Sequence, residues 1–181
     1  AALVASVFLG WWSLPFWLAA LFVLQFFRDP PREVPAGEGI VLSPADGRIV
    51  QVGDARDPYL ERDCVKISVF MNVFNVHVNR YPMSGTLEYR HYNKGRFGHA
   101  GTEKASLENE QSTIGLRTAR GKILVRQIAG LVARRIVTDH QPGTAVQQAE
   151  RMGLIRFGSR VDVFLPASAR VLVHTGDKTV A

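Results

Sequence analysis

The fold is decided by two neighbouring stretches of the chain, which read STIGLRT at residues 112–118 and KILVRQI at residues 122–128. Isoleucine and leucine occur at short spacing in both stretches, valine joins them in the second, and Gly121 lies between the two. Side chains along a β-strand point alternately to its two faces, so short runs with this spacing predict strands. Similar runs, separated by glycine, proline and aspartate, predict further strands at residues 39–42, 48–52, 65–70, 85–92, 161–165 and 169–174.

One helix is predicted within this β-rich region, at residues 144–152. Thr144 is a suitable N-cap, Gln147 follows three residues later, and Gly153 lies just beyond the last turn. Two Pro-x-x-Gly turns, beginning at Pro44 and Pro82, each precede a predicted strand. The sequence therefore predicts a mainly β fold, a β-sandwich or barrel-like domain of the biotinyl-like hybrid type with one or two short helices.

The N-terminal part of the chain differs in composition from the rest. Residues 1–27 contain no charged side chain, and all three tryptophans lie among them. One helix of this length would reach about 40 Å, which exceeds the roughly 30 Å hydrocarbon core of a bilayer, but Pro15 would kink it. We therefore expect a hydrophobic helical membrane segment that either crosses the bilayer or enters one leaflet. A cleaved signal peptide is not expected, because the run is too long and no small-residue cleavage site follows it.

The overall composition limits the class of protein. The chain has 181 residues, 46% hydrophobic and 21% charged, and a net charge of +6. These proportions are typical of a globular domain, and the positive charge favours an anionic partner such as a phospholipid surface or a nucleic acid. The single cysteine, Cys64, excludes an internal disulfide and any multi-cysteine metal site.

Two polar residues are candidates for chemistry on their residue type alone. His77 lies in the run NVHVNR at residues 75–80 and could transfer a proton near pH 7. A histidine that follows an apolar strand is also often a structural hydrogen-bonding residue. Asp46 lies in a Pro-x-x-Gly turn, where an aspartate commonly caps its own backbone. Both residues therefore have a structural as well as a catalytic interpretation.

Several other kinds of site are not supported. The five histidines are scattered, without the close spacing of metal ligands. Gly158-Ser159 lacks the second glycine of a nucleophile elbow, and no glycine-rich phosphate loop is present. Clustered basic and aromatic residues, which nucleic-acid binding requires, are also missing. On composition and spacing alone, the chain is a basic, mainly β domain attached to a membrane.

Four motifs in order make this chain resemble the phosphatidylserine decarboxylases, in their short bacterial form. They are FFRDP at residues 26–30, SPADG at 43–47, NVHVNR at 75–80 and GLIRFGSRVD at 153–162. Residues 104–110 and 127–136 also resemble this family. Each motif is modest by itself, but their common order is specific.

The resemblance implies a self-cleaving enzyme that converts phosphatidylserine to phosphatidylethanolamine and CO₂. The Ser159 hydroxyl would attack the Gly158 carbonyl, and the chain would break between these residues. Ser159 would become a covalent pyruvoyl group, which forms a Schiff base with the substrate amine and accepts electrons as CO₂ leaves, without metal or pyridoxal phosphate. By resemblance, His77 is the proton donor and Asp46 is a base or an orienting residue in self-cleavage.

The chain departs from longer relatives at two positions. Arg160 follows the cleavage serine where they have threonine, and Arg80 replaces a second histidine. Arginine stays protonated and cannot act as a base, so we expect Arg80 to bind the phosphate or carboxylate of the substrate, beside Asn75 and Asn79. His77 would then serve both self-cleavage and decarboxylation, or Asp46 would act in self-cleavage with Asn75 nearby.

The expected organisation is a membrane anchor at residues 1–27 and a catalytic β domain at residues 28–181. Cleavage would divide the chain into a β chain, residues 1–158, and an α chain, residues 159–181, which stay together as a heterodimer that could pair further. We expect the bacterial inner membrane, with the catalytic domain on the cytoplasmic side and Arg28 and Arg32 near anionic lipid. We also expect residues of the natural protein beyond both ends.

Two alternatives stay open on the sequence. One is a non-enzymatic, membrane-tethered adaptor of the biotinyl-like type, which gives no role to Gly158-Ser159. The other is a decarboxylase of a different serine-headed lipid, such as an ether lipid, because the chemistry touches only the headgroup. Self-cleavage distinguishes the first alternative, and assays with purified lipids distinguish the second.

Overall fold

The computed structural model describes residues 3–4, 10–35, 37–95, 109–130, 135–156 and 158–181. A short 3-10 turn at Gly10–Ser13 leads into helix α1, Leu14–Phe26. The strands that follow are, in chain order, β1 Gly47–Arg56, β2 Asp63–Met71, β3 Val78–Arg80, β4 Gly85–Asn93, β5 Gln111–Thr118, β6 Gly121–Ala129, β7 Ile136–Thr138, β8 Ala145–Val146, β9 Arg151–Ile155, β10 Ser159–Pro166 and β11 Lys178–Thr179.

The strands form two antiparallel sheets. The larger sheet curls as an open half-barrel in the order β11-β1-β2-β10-β6-β5-β4-β8, and the smaller has the order β3-β9-β7. Both contribute to one apolar core, to which β10 brings Val161 and Val163 while β9 brings Met152 and Ile155. The mainly β prediction is therefore confirmed, whereas the biotinyl-like assignment stays a prediction.

Strand β10 occupies the centre of the larger sheet. It pairs with β2 on one side and with β6 on the other. Alternate residues of the strand, Val161, Val163 and Leu165, lie in the core cluster. Ser159 has the same parity, so its side chain lies on the core face, while Arg160 and Asp162 lie on the opposite face.

Most of the predicted strands are present. Residues 48–52, 65–70, 85–92, 112–118, 122–128 and 161–165 fall within β1, β2, β4, β5, β6 and β10. The predictions at 39–42 and 169–174 are wrong, since neither segment pairs as a strand. Their apolar side chains, including Val41 and Val173, instead line a cavity of about 340 Å³ over the core face of β2 and β10.

The predicted helix at residues 144–152 is also wrong. Ala145 and Val146 pair with β4 as strand β8, and Arg151–Ile155 forms β9 between β3 and β7. Ala149 has a φ of +64°, which no α-helix contains, in the turn that joins them. Gly153 lies inside β9 rather than beyond a helix end. The neighbouring strand approaches it so closely that a Cβ there would lie 2.0 Å from the Val137 carbonyl oxygen. Pairing with two neighbouring strands outweighed the local helix signals.

The N-terminal apolar run forms a shorter helix than expected. Helix α1 has 13 residues and reaches about 20 Å. Pro15 occupies its first turn, where proline starts a helix without breaking a hydrogen bond, so the expected mid-helix kink is wrong. Among the described residues, no helix is both long enough and apolar enough to cross a membrane. Residues 1–2 and 5–9 of the predicted anchor lie outside the described residues, as do 104–108 and 131–134 of the family-like segments.

Candidate active site

The Gly158-Ser159 peptide bond lies where the chain enters β10. Gly158 has a φ of +63°, a left-handed conformation that glycine adopts at little cost. Ser159 lies opposite Met71 of β2 and Ala129 of β6, and it is fully buried. Its Oγ has no hydrogen-bond partner among the described residues. A buried hydroxyl is normally paired; Ser68 Oγ on β2 is likewise buried without a partner among the described residues, so the left-handed glycine before Ser159 is what distinguishes this position.

His77 follows a tight turn at the end of β2 and is also buried. Its Nδ1 lies 2.9 Å from the carbonyl oxygen of Asn75. Because a carbonyl only accepts, a neutral imidazole here donates from Nδ1 and keeps a lone pair on Nε2. Nε2 is buried and has no partner among the described residues. This tautomer is suited to accept a proton at Nε2.

Phe26, the last residue of α1, covers the imidazole of His77. The two ring centroids are 4.1 Å apart with an interplanar angle of 31°. Burial above all, together with the Arg28 guanidinium, lowers the pKa of His77 to about 4. The Asn75 carbonyl and the Asp46 carboxylate act in the opposite direction on this pKa. His77 is therefore neutral at pH 7 in this arrangement.

Asp46 is held by two partners beside β1. Its Oδ2 accepts a hydrogen bond from Arg32 Nη2 at 2.8 Å, and its Oδ1 accepts one from the Ala181 backbone N–H at 2.8 Å. Arg32 was expected near lipid, but its side chain is only 17% exposed. Its partner is the half-buried carboxylate of Asp46, and a contact of Arg32 with anionic lipid stays a prediction. The turn at Asp46 is thus an ion-paired site rather than a free capping turn.

Arg80 joins three separate segments of the chain. Its Nη2 donates to Asp29 in a close ion pair, and its Nη1 donates to the Ala149 carbonyl at 3.0 Å. Its backbone N–H donates to the Pro44 carbonyl at 3.0 Å, which ties β3 to the Asp46 turn. The Arg-Asp-Pro sequence that follows the apolar run therefore supplies, through Asp29, the carboxylate that pairs with Arg80.

The two asparagines have different positions. Asn75 closes the turn before His77, and its Oδ1 accepts from the Asn72 N–H at 2.9 Å. Asn79 is fully buried on β3, where its Nδ2 lies 3.6 Å from Met71 Sδ and its Oδ1 accepts from Gln127 Nε2 at 2.8 Å. Asn79 therefore contacts the residue that lies directly opposite Ser159.

A buried chain of polar side chains continues from Asn79. Gln127 Oε1 accepts from Thr138 Oγ1 at 3.2 Å, and Thr138 Oγ1 lies 3.0 Å from Ser112 Oγ. This network links β3, β6, β7 and β5 beneath the cleavage bond. Sequence analysis missed Gln127, Thr138 and Phe26, because each resembles an ordinary strand or anchor residue until its partner is known.

Strands β3 and β9 bring the candidate residues to the same end of the larger sheet. Val78 lies opposite Leu154, and the Ile155 N–H donates to the His77 carbonyl at 3.4 Å. Ile155 is followed closely by Gly158 and Ser159, so His77 flanks the strand that leads into the cleavage bond. The guanidinium of Arg80 is directed instead toward the residues that follow α1. Among the described residues, no cluster of three or more His, Cys, Asp or Glu could hold a metal ion.

Comparison with known proteins is consistent across almost the whole chain. A family model described as phosphatidylserine decarboxylase matches residues 19–181. A phosphatidylserine decarboxylase proenzyme of Aromatoleum aromaticum is 57% identical over 171 residues, which cover 94% of this chain and 80% of that protein. Proenzymes of the same name from Nitrosomonas europaea and Neisseria gonorrhoeae are 56% and 54% identical, covering 99% and 98% of this chain and 84% and 69% of theirs.

Proposed function

The chain belongs to the phosphatidylserine decarboxylase family, and we propose that it cleaves itself at Gly158-Ser159 and then decarboxylates phosphatidylserine at residue 159. As a member of this family it is a carboxy-lyase. One observation carries the proposed site: a buried serine hydroxyl without a partner follows a glycine in the left-handed conformation. The proenzyme names of the relatives support a chain that is cut before it acts.

In the proposed cleavage, Ser159 Oγ attacks the carbonyl carbon of Gly158 and loses its proton. The acyl group moves from nitrogen to oxygen, which gives an ester and a free amine. Loss of the Cα proton then expels the ester oxygen as the Gly158 carboxylate, and water replaces the amine of residue 159 as ammonia. The products are a β chain that ends at Gly158 and an α chain that begins with a pyruvoyl group.

The neutral imidazole of His77 is the proposed proton carrier for both stages. Its Nε2 lone pair is the proposed acceptor of the Ser159 proton, a role that brings Nε2 and Oγ within hydrogen-bond distance during the reaction; in the resting structure neither atom has a partner among the described residues. It can likewise accept a proton from the ammonium of the substrate and return it after CO₂ has left. Because the pKa of His77 is lowered to about 4, a proton held there is readily donated. Asp46, engaged with Arg32, is proposed to orient and charge-balance this site.

The residues around Ser159 fit a reactive carbonyl. When formed, the pyruvoyl group supplies an electron sink for the electrons that CO₂ leaves behind. Met71 and Ala129 lie opposite Ser159 on either side, and both are fully buried. They exclude water from the position and bring no nucleophile that could block a carbonyl.

Arg80 is the proposed contact for the anionic groups of the substrate. It already holds a carboxylate, that of Asp29, so a substrate carboxylate or phosphate can be bound there by exchange. The Arg80 guanidinium is permanently charged and can donate two parallel hydrogen bonds to a carboxylate or phosphate. Asn75 and Asn79 are proposed to support this contact from the His77 turn and from β3.

Substitution of Arg80 by Gln is expected to raise KM more than it lowers kcat.

Helix α1 is the proposed membrane contact. Its apolar side chains are largely exposed, and Phe74, in the turn before His77, is 67% exposed. Arg28 Nη1 and Nη2 donate to the carbonyls of Gln25 and Phe74, at 2.6 and 2.9 Å, so the helix end and this turn lie side by side. We propose that both enter one leaflet, which places His77 at the lipid headgroups, on the cytoplasmic face of the inner membrane.

The mass of the purified protein tests the proposed cleavage. We expect a break after Gly158, with an α chain about 17 Da lighter than a fragment that begins with serine, since ammonia has been lost. Ser159→Ala should remain uncut and inactive, because alanine has no Oγ. Ser168→Ala, in the exposed turn after β10, is the matched control and should be cut normally.

The identity of the lipid is tested on the same preparation. Detergent-solubilised protein is incubated with diacyl phosphatidylserine and, separately, with a serine-headed ether lipid, and released CO₂ is measured. Turnover of phosphatidylserine with cleavage supports the proposal, whereas an uncut wild-type chain that still releases CO₂ would contradict it. An uncut, inactive chain would favour the adaptor alternative.

A further inference from the structure

Next to the cleavage bond lies a buried ion pair that the proposed chemistry does not use. We propose that Arg160 and Asp162 are positioning residues, which fix residue 159 in place once the chain has been cut. The proposal rests on the proposed self-cleavage at Gly158-Ser159. Neither side chain is placed at the reacting atoms, so neither is a catalytic residue.

The two side chains make a two-point contact along one strand. Arg160 Nε donates to Asp162 Oδ1 at 2.6 Å, and Arg160 Nη2 donates to Asp162 Oδ2 at 3.0 Å. Both residues are essentially inaccessible to solvent. A bidentate arginine–carboxylate contact restricts orientation as well as distance. The contact therefore restrains residues 160–162, at the start of β10, to one conformation.

The pair is also held from the neighbouring strand. Arg126 of β6 lies directly opposite Asp162, and its guanidinium lies 5.2 Å above the ring of Phe164. Its Nε donates to Thr113 Oγ1 at 3.3 Å. Burial lowers the pKa of Arg126, and the Asp162 carboxylate opposes that effect. Asp162 is thus close to the buried Arg160 and the half-buried Arg126, on the face of the sheet opposite Ser159.

Stability alone is a poor reason for such a pair. Replacing a buried ion pair with apolar side chains of similar volume is often neutral or stabilising, because desolvation cancels most of the attraction. Arg160 lies between two apolar residues, Phe70 of β2 and Ile128 of β6, so an apolar side chain could take its place in the sheet. A charged pair beside the scissile bond therefore calls for a role other than core packing.

Cleavage changes what holds residue 159. Before the cut, the chain restrains this residue from both sides, through Gly158 and through Arg160. After the cut, residue 159 is the first residue of a new chain, and chain ends are mobile unless they are tied down. The backbone of Arg160 is then its only covalent support, and the side chain of Arg160 is tied to Asp162. Loss of the ion pair should therefore lower kcat more than it lowers the extent of self-cleavage.

The test is the double variant Arg160→Met/Asp162→Asn, which removes both charges of the pair and keeps a side-chain oxygen beside Arg126. We expect it to fold with a similar thermal midpoint, to be cut completely, and to react stoichiometrically with phenylhydrazine, which traps the pyruvoyl carbonyl. We expect kcat to fall about 10- to 100-fold with KM changed by less than about threefold, since misplacement by an ångström can cost that much.

A second variant and a control keep the result interpretable. Arg160→Lys retains the charge but cannot make the two-point contact, so kcat should again fall, by about 3- to 10-fold. The control is Glu88→Gln/Arg117→Gln, which removes an ion pair of 2.7 Å on the exposed part of the same sheet. Its kcat should equal that of the wild type.

Three outcomes would overturn the proposal. A double variant with wild-type kcat would show that residue 159 needs no such support. If the extent of cleavage, the thermal midpoint and kcat all fall together in the double variant, the pair is merely structural. If the double variant does not fold, a wild-type kcat in Arg160→Lys overturns the proposal. A wild-type chain that is not cut removes the premise, and the mass spectrum of the unaltered protein reveals that failure separately.

Discussion

At the scale of single residues, the site depends on which polar atoms are left without partners. Ser159 Oγ and His77 Nε2 are both buried and unpaired among the described residues, whereas Asp46 and Arg80 are engaged in ion pairs. Leaving a buried polar atom unpaired costs about 1–3 kcal/mol. Four other buried atoms, on Arg32, Asp57, Arg62 and Ser68, also lack a partner among the described residues, so Ser159 and His77 are distinguished by their family motifs and by their place at or beside the proposed cleavage bond.

Phe26→Ala tests how the anchor helix affects His77. Removing the covering ring should let water reach the imidazole, so the pKa of His77 should rise from about 4 toward its ordinary value of 6.5. If neutral His77 is required in the free enzyme, activity is lost when it is protonated. The acidic limb of the kcat/KM profile should therefore move to higher pH by one to two pH units, on the order of the desolvation effect.

The matched control for this variant is Leu24→Ala. Leu24 is 71% exposed on the same helix, so its loss does not uncover His77, and the acidic limb should stay at its wild-type position. An unchanged pH profile in Phe26→Ala would show that the ring does not set the protonation of His77.

At the scale of elements, α1 and the turn before His77 act as one unit because Arg28 joins them. The helix buries Phe26 and exposes most of its other apolar side chains. Exposed apolar patches of this kind mark sites of membrane or protein contact, and the lipid substrate of this family favours a membrane.

Leu24→Glu tests this assignment. A carboxylate on the lipid-facing side of α1 costs about 2–3 kcal/mol if that position enters the hydrocarbon region, which corresponds to a roughly 30- to 140-fold weaker partition into vesicles. Sedimentation with vesicles that contain phosphatidylserine measures it. Leu172→Glu is the control, since Leu172 is 72% exposed in the segment between β10 and β11. Equal losses in both variants would argue against a specific role of α1.

At the scale of the whole molecule, the two sheets are joined by the polar chain from Asn79 through Gln127 to Thr138. It crosses from β3 through β6 to β7, and Ser112 extends it to β5. Every link is buried. A satisfied buried network fixes one arrangement of its strands, and breaking it in the middle leaves polar atoms on both sides without partners.

Gln127→Leu should therefore destabilise the protein although it adds apolar volume. Asn79 Oδ1 and Thr138 Oγ1 would each lose a hydrogen bond, which predicts a loss of about 2–4 kcal/mol in the free energy of unfolding. Urea denaturation followed by far-UV circular dichroism measures the change. Gln141→Leu, at an exposed loop position, should change stability by less than about 0.5 kcal/mol. A neutral effect of Gln127→Leu would mean that water replaces the missing partners.

The sequence by itself determined six of the eight strands of the larger sheet and the apolar run before them, and it singled out the motif at residues 153–162. Alternation at residues 112–118 and 122–128 is a local signal, and the local geometry of a strand follows from it. The motifs at residues 43–47, 75–80 and 153–162 likewise identified the family from their order alone. His77, Ser159 and Asp46 were found in this way without any knowledge of their surroundings.

Only the tertiary structure decided what those residues touch. The helix signals at residues 144–152 were outweighed by pairing of β9 with β3 and β7, and the alternating residues at 39–42 and 169–174 line a cavity instead of a strand. The partners Phe26 of His77, Asp29 of Arg80 and Gln127 of Asn79 are each about 50 residues distant in sequence. Contacts at that separation depend on how the sheets close, so no local pattern could have predicted them.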